Sequence, residues 1–185
     1  MSQIFESCFN FNQDLSKWNV SKVEYMTSMF FECWSFHQDI SEWDVSNVFD
    51  MSLMFEGCFN FNQDITKWNT SSLELTKFMF HGCPKFNQDI SKWNMSKVSN
   101  TSNMFEGCFN FNQDISQWDV SNVTKMRQMF LGCVNFNQDI SAWDVRNVEE
   151  MSNIFNGCIN LNPNCFNLNF SKKAIGLTSD FKMVS

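Results

Sequence analysis

A constant period of 25 residues constrains the fold of this chain more than any other feature of its sequence. The block MFEGCFNFNQDITKW at residues 54–68 returns as MFEGCFNFNQDISQW at residues 104–118, and close variants lie on either side of both copies. One cysteine marks each unit, at Cys8, Cys33, Cys58, Cys83, Cys108, Cys133 and Cys158. A fixed period of this length is typical of a solenoid, in which similar coils stack and each coil contacts its neighbours.

The first half of each unit has the spacing of an amphipathic helix. In residues 21–33 the apolar side chains are three or four positions apart, at Val23, Met26, Met29, Phe30 and Cys33. This spacing predicts a short helix or helical turn. Ser21 and Glu24 have the spacing of a capping box, and glycines such as Gly57, just before the cysteine, are expected to end the helix.

The second half of each unit predicts a short strand. Residues 36–45 read FHQDISEWDV, with aromatic and β-branched residues among polar ones. Each coil is therefore predicted to hold one short strand and one short helix or helical turn, giving an α/β solenoid with a parallel sheet. The solenoid is expected over residues 1–162, in about six and a half repeats, with residues 163–185 as an atypical C-terminal cap where the pattern decays.

The recurring Phe, Trp, Ile, Met and Cys positions are predicted to form columns of the core. Cysteines on adjacent coils could lie within disulfide distance, but their odd number and apolar surroundings favour reduced, buried thiols. Cys165 lies outside the cysteine column and is expected to be the reactive thiol. The sequence has no CxxC motif, and its two histidines are His37 and His81, so a zinc site is not expected.

Six aspartates also share one position of the repeat: Asp14, Asp39, Asp64, Asp89, Asp114 and Asp139. Stacked about 5 Å apart they would repel one another unless something offset their charge. In the favoured interpretation each Asp accepts hydrogen bonds from backbone N–H groups at a corner, and the neighbouring Asn and Gln side chains form amide ladders between coils. The alternatives are a column of cation sites and a polar face that recognises carbohydrate.

Charge and motif content exclude several classes of function. A formal net charge of −7 disfavours nucleic acid as a partner. The sequence contains no run of 18 apolar residues, so membrane insertion is not expected. The sequence also lacks a phosphate-binding loop, a nucleophile-elbow motif and a recurring partner for either histidine, so neither an enzyme nor a cofactor is expected.

The pattern MF..C..FNQDIS.W.VS.V...M, almost intact in residues 104–126, resembles the BspA-like leucine-rich repeats. Similar repeats of the same length occur in mycoplasma-type surface proteins, algae and giant DNA viruses, and the resemblance covers residues 1–162. It implies a right-handed solenoid of leucine-rich-repeat type that acts through protein contacts, often in adhesion, host interaction or particle assembly. It implies no enzymatic activity. A component of a virus particle or another large assembly is therefore one expectation, and surface adhesion is another.

Specific recognition is expected where the repeat varies, because the invariant positions build the stack. Coils in the first half of the chain place large apolar side chains in slots that are polar elsewhere: Tyr25, Phe31, Trp34, Phe49, Leu53, Leu75 and Phe78. A cluster of such residues on neighbouring coils is a candidate contact site for a protein partner.

The first coil is a second candidate. Met1 falls halfway through a unit, which leaves an apolar edge near Phe11 and Trp18 without a preceding coil. A protein partner or a second copy of the chain is expected to cover it. Because no signal peptide or transmembrane segment is evident, an intracellular or virion-associated location is expected, rather than the cell surface.

Overall fold

The structure is a computed structural model and describes residues 1–165. We name the coils by their cysteines, so that coil 1 contains Cys8, coil 2 contains Cys33 and coil 7 contains Cys158. Hydrogen bonds join neighbouring coils between residues 24 to 28 positions apart. The repeats therefore form one continuous stack, as the constant period predicts.

Neither the predicted helix nor the predicted strand is present in residues 1–165. The one helix there is the 3-10 helix Pro163–Cys165. Parallel pairing in this range is limited to isolated bridges that join one residue per coil: Tyr25–Asp50, Asp50–Leu75, Leu75–Asn100, Asn100–Lys125 and Lys125–Glu150. The elements of the α/β prediction are thus wrong for these residues, and the bridges lie in the half of the unit that was predicted to be helical.

Two consecutive four-residue turns replace the helix. In the first, the Met29 N–H donates to the Met26 carbonyl at 3.1 Å, and Ser28, at the third position, has a φ of 54°. The second turn, residues 30–33, repeats this arrangement with a φ of 56° at Glu32. A positive φ at the third position is the pattern of a type II turn. Such a turn brings its first and fourth residues together, which explains why the apolar spacing imitated a helix.

The backbone N–H groups of these turns alternate between two kinds of acceptor. The Met29 N–H closes a turn within its own coil, whereas the N–H groups on either side donate to the next coil. Ser28 N–H reaches the carbonyl of Ser52 and Phe30 N–H reaches that of Met54, both at 2.9 Å. Polar backbone groups are thereby satisfied without a regular ladder, as buried backbone requires.

The third turn position explains the recurring glycine. Gly57 has a φ of 72°, in the left-handed region where a side chain is disfavoured. Glycine there serves the second turn rather than ending a helix. The third position of the first turn has no glycine, and bulky residues there, Leu53 and Phe78, each have a φ of 58°. The stack therefore holds these side chains in a conformation that isolated chains avoid.

Side chains connect the coils where the strand was predicted. The Asn87 N–H donates to Asn62 Oδ1 at 2.9 Å, and Gln88 Nε2 donates to the Asn62 carbonyl at 3.0 Å. Asn112 bonds to Asn87, and Asn137 to Asn112, in the same way. Because amide side chains take the place of backbone acceptors, this half of the coil forms no β-ladder.

Aromatic rings fill the centre of the stack. The Phe30 and Phe36 rings of one coil stack with centroids 4.0 Å apart, and Phe30 lies 5.7 Å from Phe55 of the next coil. The same pairs recur to Phe130 and Phe136, and the Ile column and the tryptophans from Trp43 to Trp143 are buried beside them. The continuous core therefore consists of side chains that no single coil could bury alone.

Candidate interaction surface

The aspartate column faces solvent, but its oxygens are used locally. Asp14 Oδ1 accepts the Ser16 N–H at 2.8 Å, and Asp64 Oδ1 accepts the Thr66 N–H at 2.9 Å. The hydrogen bond from the Ser16 backbone is the main cause that lowers the pKa of Asp14. All six aspartates have the same bond from the residue two positions on. Within residues 1–165, no three His, Cys, Asp or Glu side chains come together as a metal site would need.

The cysteine column is reduced, and its thiols are used as donors. Cys58 Sγ donates to the Phe30 carbonyl at 3.0 Å, a bond repeated from coil 2 to coil 7. Burial raises the pKa of Cys33 to about 12. Cys165, expected to be reactive, is buried and its pKa is raised, mainly by burial. Cys8 is the exposed thiol, because no preceding coil covers it in the structure.

The seven predicted contact residues do not form one cluster in the structure. Tyr25 and Phe49 lie with ring centroids 6.3 Å apart, and Leu75 has the position of Tyr25 two coils further on, with Asp50 between them. Trp34 belongs to a different column and is 43% exposed. The other three, Phe31, Leu53 and Phe78, are only partly exposed.

Trp34 extends into an exposed aromatic column that the sequence analysis missed. Its ring centroid lies 4.3 Å from that of Phe9 and 5.9 Å from that of Phe59. Phe109 and Ile159 are exposed at the same position of coils 5 and 7. Phe9, Phe59 and Phe109 belong to the recurring CFNF block, and the sequence pattern did not single them out as contact residues. The signal that marks this position as variable is its occupation by Trp, Pro and Val in the even-numbered coils.

The first coil presents a partly exposed apolar edge. Trp18 is 39% exposed, whereas the five later members of its column are buried. Phe11 packs against the core from one side and is half-buried. Trp18 Nε1 has no acceptor within residues 1–165, although Trp43 Nε1 donates to the Leu15 carbonyl at 3.0 Å. Phe11 and Trp18 thus form the end of the stack in the described structure.

One histidine is held between two carboxylates on neighbouring coils. His81 Nδ1 lies 3.0 Å from Glu56 Oε1, and His81 Nε2 lies 3.8 Å from Glu106 Oε1. The hydrogen bond to Glu56 is the main cause that raises the pKa of His81. The two carboxylates approach opposite sides of the ring, so this arrangement is an ion-pair cluster and lacks the convergence of a catalytic or metal centre.

Stacked coils of constant period, with ladders of identical side chains inside, define this chain as a solenoid repeat protein. A solved leucine rich cell surface protein from Faecalibacterium prausnitzii has a similar fold, with a TM-score of 0.52 at 20% sequence identity. The alignment covers 74% of this chain and 34% of that one, so the chain spans about a third of its neighbour's length. The leucine-rich-repeat solenoid is therefore confirmed as the fold.

A comparison of the sequence with models of known families shows which family the chain belongs to. The chain belongs to the family described as "Mycoplasma protein of unknown function, DUF285", which matches residues 1–115 and again residues 77–184. Together with the solved neighbour, this match confirms the resemblance to BspA-like leucine-rich repeats.

The chain is less similar to a second solved repeat protein. A leucine rich repeat protein from T. pallidum gives a TM-score of 0.34 at 14% identity, over 76% of this chain and 72% of that one. No curated protein matches the chain. In the part of the chain that the structure describes, no helix has the length and apolarity needed to span a bilayer.

Proposed function

We propose that this chain is a non-enzymatic module for protein–protein interaction, and that its contact surface is the aromatic column Phe9–Trp34–Phe59. The observation that carries the proposal is the exposure of three aromatic rings on successive coils, at 40%, 43% and 47%. Exposed aromatic residues on neighbouring coils form the kind of patch that marks binding sites, and Trp is enriched among residues that dominate binding energy.

The group Tyr25, Phe49 and Leu75 is proposed as a second part of the contact surface. Its exposed members are Tyr25 at 53% on coil 2 and Leu75 at 36% on coil 4, whereas the aromatic column lies on coils 1 to 3. Recognition of carbohydrate by the Asn, Gln and Asp face is the weaker alternative. Its amides are engaged between coils, and one oxygen of each aspartate is engaged within its own turn.

A phage-displayed peptide library selected on the immobilised protein tests the proposal. Enriched peptides should bind the double variant Trp34→Ser/Phe59→Ser at least tenfold more weakly, since each lost aromatic contact removes more than about 1 kcal/mol. A matched variant, Asn110→Ser/Asn135→Ser, changes two exposed residues one position further along coils 5 and 6 and should bind normally. Equal binding of the peptides to both variants contradicts the proposal.

The edge formed by Phe11 and Trp18 is proposed as a site that a protein partner or a second copy covers. The partly exposed ring of Trp18 and its free indole N–H support this. Sedimentation velocity over a concentration series should show association that Trp18→Ser weakens. A monomer at every concentration is the outcome that argues against self-association at this edge.

The setting of such a module is also a proposal. The description of the F. prausnitzii neighbour as a cell surface protein favours a surface role over the intracellular location expected from the sequence. A place in a virus particle or other large assembly fits the same kind of contact surface. Fluorescent antibodies against this chain, applied to intact and permeabilised cells, distinguish a surface location from an intracellular one.

A further inference from the structure

A groove on coils 4 to 7 has a charge opposite to that of the whole chain. The chain carries a formal charge of −7, whereas three cations and a single carboxylate line this groove. The residues that matter are Lys77, Asn100, Ser102, Lys125, Arg127 and Glu150. A local positive potential in a concave site concentrates anions, even on an acidic protein.

Two of the three cations have no acidic partner. Lys125 Nζ lies 3.1 Å from Glu150 Oε1, so its charge is offset. Within residues 1–165, Lys77 makes no ion pair, and its Nζ lies over the Phe78 ring at 5.2 Å. Arg127 uses Nε to donate to Gln128 Oε1 at 3.1 Å, which leaves both terminal nitrogens of the guanidinium without a partner in the described structure.

A serine hydroxyl lies between these cations. Ser102 is on coil 5, at the same position of the repeat as Lys77 on coil 4 and Arg127 on coil 6. It is only 5% exposed, yet it lines the groove, and its hydroxyl makes no hydrogen bond within residues 1–165. A hydroxyl with a free donor therefore faces the groove from its floor.

The neutral residue Asn100 leaves Glu150 as the one carboxylate among the residues that line the groove. Asn100 Oδ1 accepts the Ser102 N–H at 3.0 Å. Two coils earlier, Asp50 Oδ1 accepts the Ser52 N–H at 2.7 Å in the same turn, so the local fold accommodates Asp equally well. An Asp at position 100 would place a negative charge between the two cations. Because position 100 is not an Asp, the positive charges of Lys77 and Arg127 remain available to an external anion.

We propose that this groove binds a tetrahedral oxyanion, phosphate or sulfate, between Lys77, Ser102 and Arg127. A tetrahedral anion presents oxygens on several sides. It can therefore accept from Lys77 on one side, from Arg127 on the other and from the Ser102 hydroxyl beneath. A planar carboxylate presents its two oxygens in one direction and satisfies fewer of these donors. Arginine is well suited to such oxyanions because its donors form a fixed fork.

The site is separate from the aromatic column, so the two proposals fail independently. An NMR titration of the amide resonances with sodium phosphate, at ionic strength held constant with sodium chloride, measures binding directly. We expect saturable shifts confined to the residues that line the groove. Sodium sulfate should reproduce them, and sodium acetate should bind more weakly.

Asn100→Asp is the critical variant, because it keeps the turn and adds the competing charge. It should weaken phosphate binding about tenfold or more, because the added carboxylate competes with phosphate for the charges of Lys77 and Arg127. Asn135→Asp makes the same change of charge at an exposed site and should bind phosphate normally. Lys77→Gln/Arg127→Gln should also abolish binding and provides the test if Asn100→Asp does not fold.

Three results would overturn the proposal. The first is shifts that never saturate or that spread equally over other surface lysines, which indicates nonspecific screening. The second is acetate binding as tight as that of phosphate. The third is phosphate binding by the folded Asn100→Asp variant that equals that of the wild type.

Discussion

The indole N–H of Trp68 donates to the carbonyl of Ile40 on the preceding coil at 3.1 Å. The same oxygen accepts the Trp43 backbone N–H at 3.2 Å, which closes a turn within the coil. One carbonyl thus fixes the local turn and the contact between coils at once. The bond recurs for every buried tryptophan of the column.

Trp68→Phe removes the bond between coils while preserving an aromatic ring in the core. The Ile40 carbonyl keeps its turn partner, so the loss is the net value of one hydrogen bond plus some packing. We expect about 1–2 kcal/mol less free energy of unfolding. Urea denaturation measures it, and Trp18→Phe is the matched control because Trp18 lacks this acceptor. An equal loss in the two variants contradicts the assigned role of the bond.

The thiols are predicted to differ sharply in reactivity. The thiolate is the reactive form, and burial raises the pKa of the column thiols from coil 2 onward. Of the eight cysteines, Cys8 alone is exposed. Titration of the native protein with a chromogenic disulfide reagent should therefore show one fast thiol, and Cys8→Ser should remove it. A fast phase that persists in Cys8→Ser, including one due to Cys165, contradicts the prediction.

The His81 ion pair should make stability depend on pH. The pKa of His81 is raised above its ordinary value of 6.5 in the folded state, chiefly by the bond to Glu56. Its contribution is therefore complete below pH 6.5 and is lost as pH rises through the folded pKa. Urea denaturation at a series of pH values should show this loss in the wild type.

His81→Gln is expected to reduce that dependence. Glu56→Gln should reduce it too, because Glu56 is the main partner of the ring. A pH profile of the His81→Gln variant that retains the full wild-type slope shows that another group is responsible.

Replacing Glu32 with glycine should stabilise the protein. Coil 2 has Glu32 with a positive φ where coils 3 to 7 have glycine. Glycine relieves a left-handed penalty of about 1–2 kcal/mol but loses about 0.5–1 kcal/mol through its freer unfolded state. A net gain of about 0.5–1 kcal/mol is expected, seen as a higher melting temperature. Gly107→Ala, at the equivalent position of coil 5, should lower it by a similar amount.

The period predicted the stack, but the spacing within a unit misassigned its elements. Met26 and Met29 are three residues apart and both are buried, which an α-helix and a four-residue turn produce equally. What distinguishes the two is the positive φ at Ser28, and serine carries no sign of it. The strand was likewise misassigned, because Asn62 provides from its side chain the acceptor that a neighbouring strand would provide from its backbone.

The candidate sites were predicted only in part. Trp34 stood out because it interrupts a pattern, whereas Phe59 belongs to a recurring block and was not singled out. The groove between Lys77 and Arg127 could not be found from spacing alone. These residues are two units apart, and their convergence depends on the side-chain directions on three successive coils.

Because the backbone bonds of the turns repeat from coil to coil, the number of coils can change without altering the contacts between them. Each turn donates forward to a carbonyl of the next coil, and each buried tryptophan donates back to the coil before it, so the interfaces from coils 1–2 to coils 5–6 have the same two-way set of connections. Removing or duplicating one whole unit regenerates that set at the new junction. Duplication or deletion of a unit in the gene can therefore lengthen or shorten this protein in steps of one coil while the rest of the chain keeps its register.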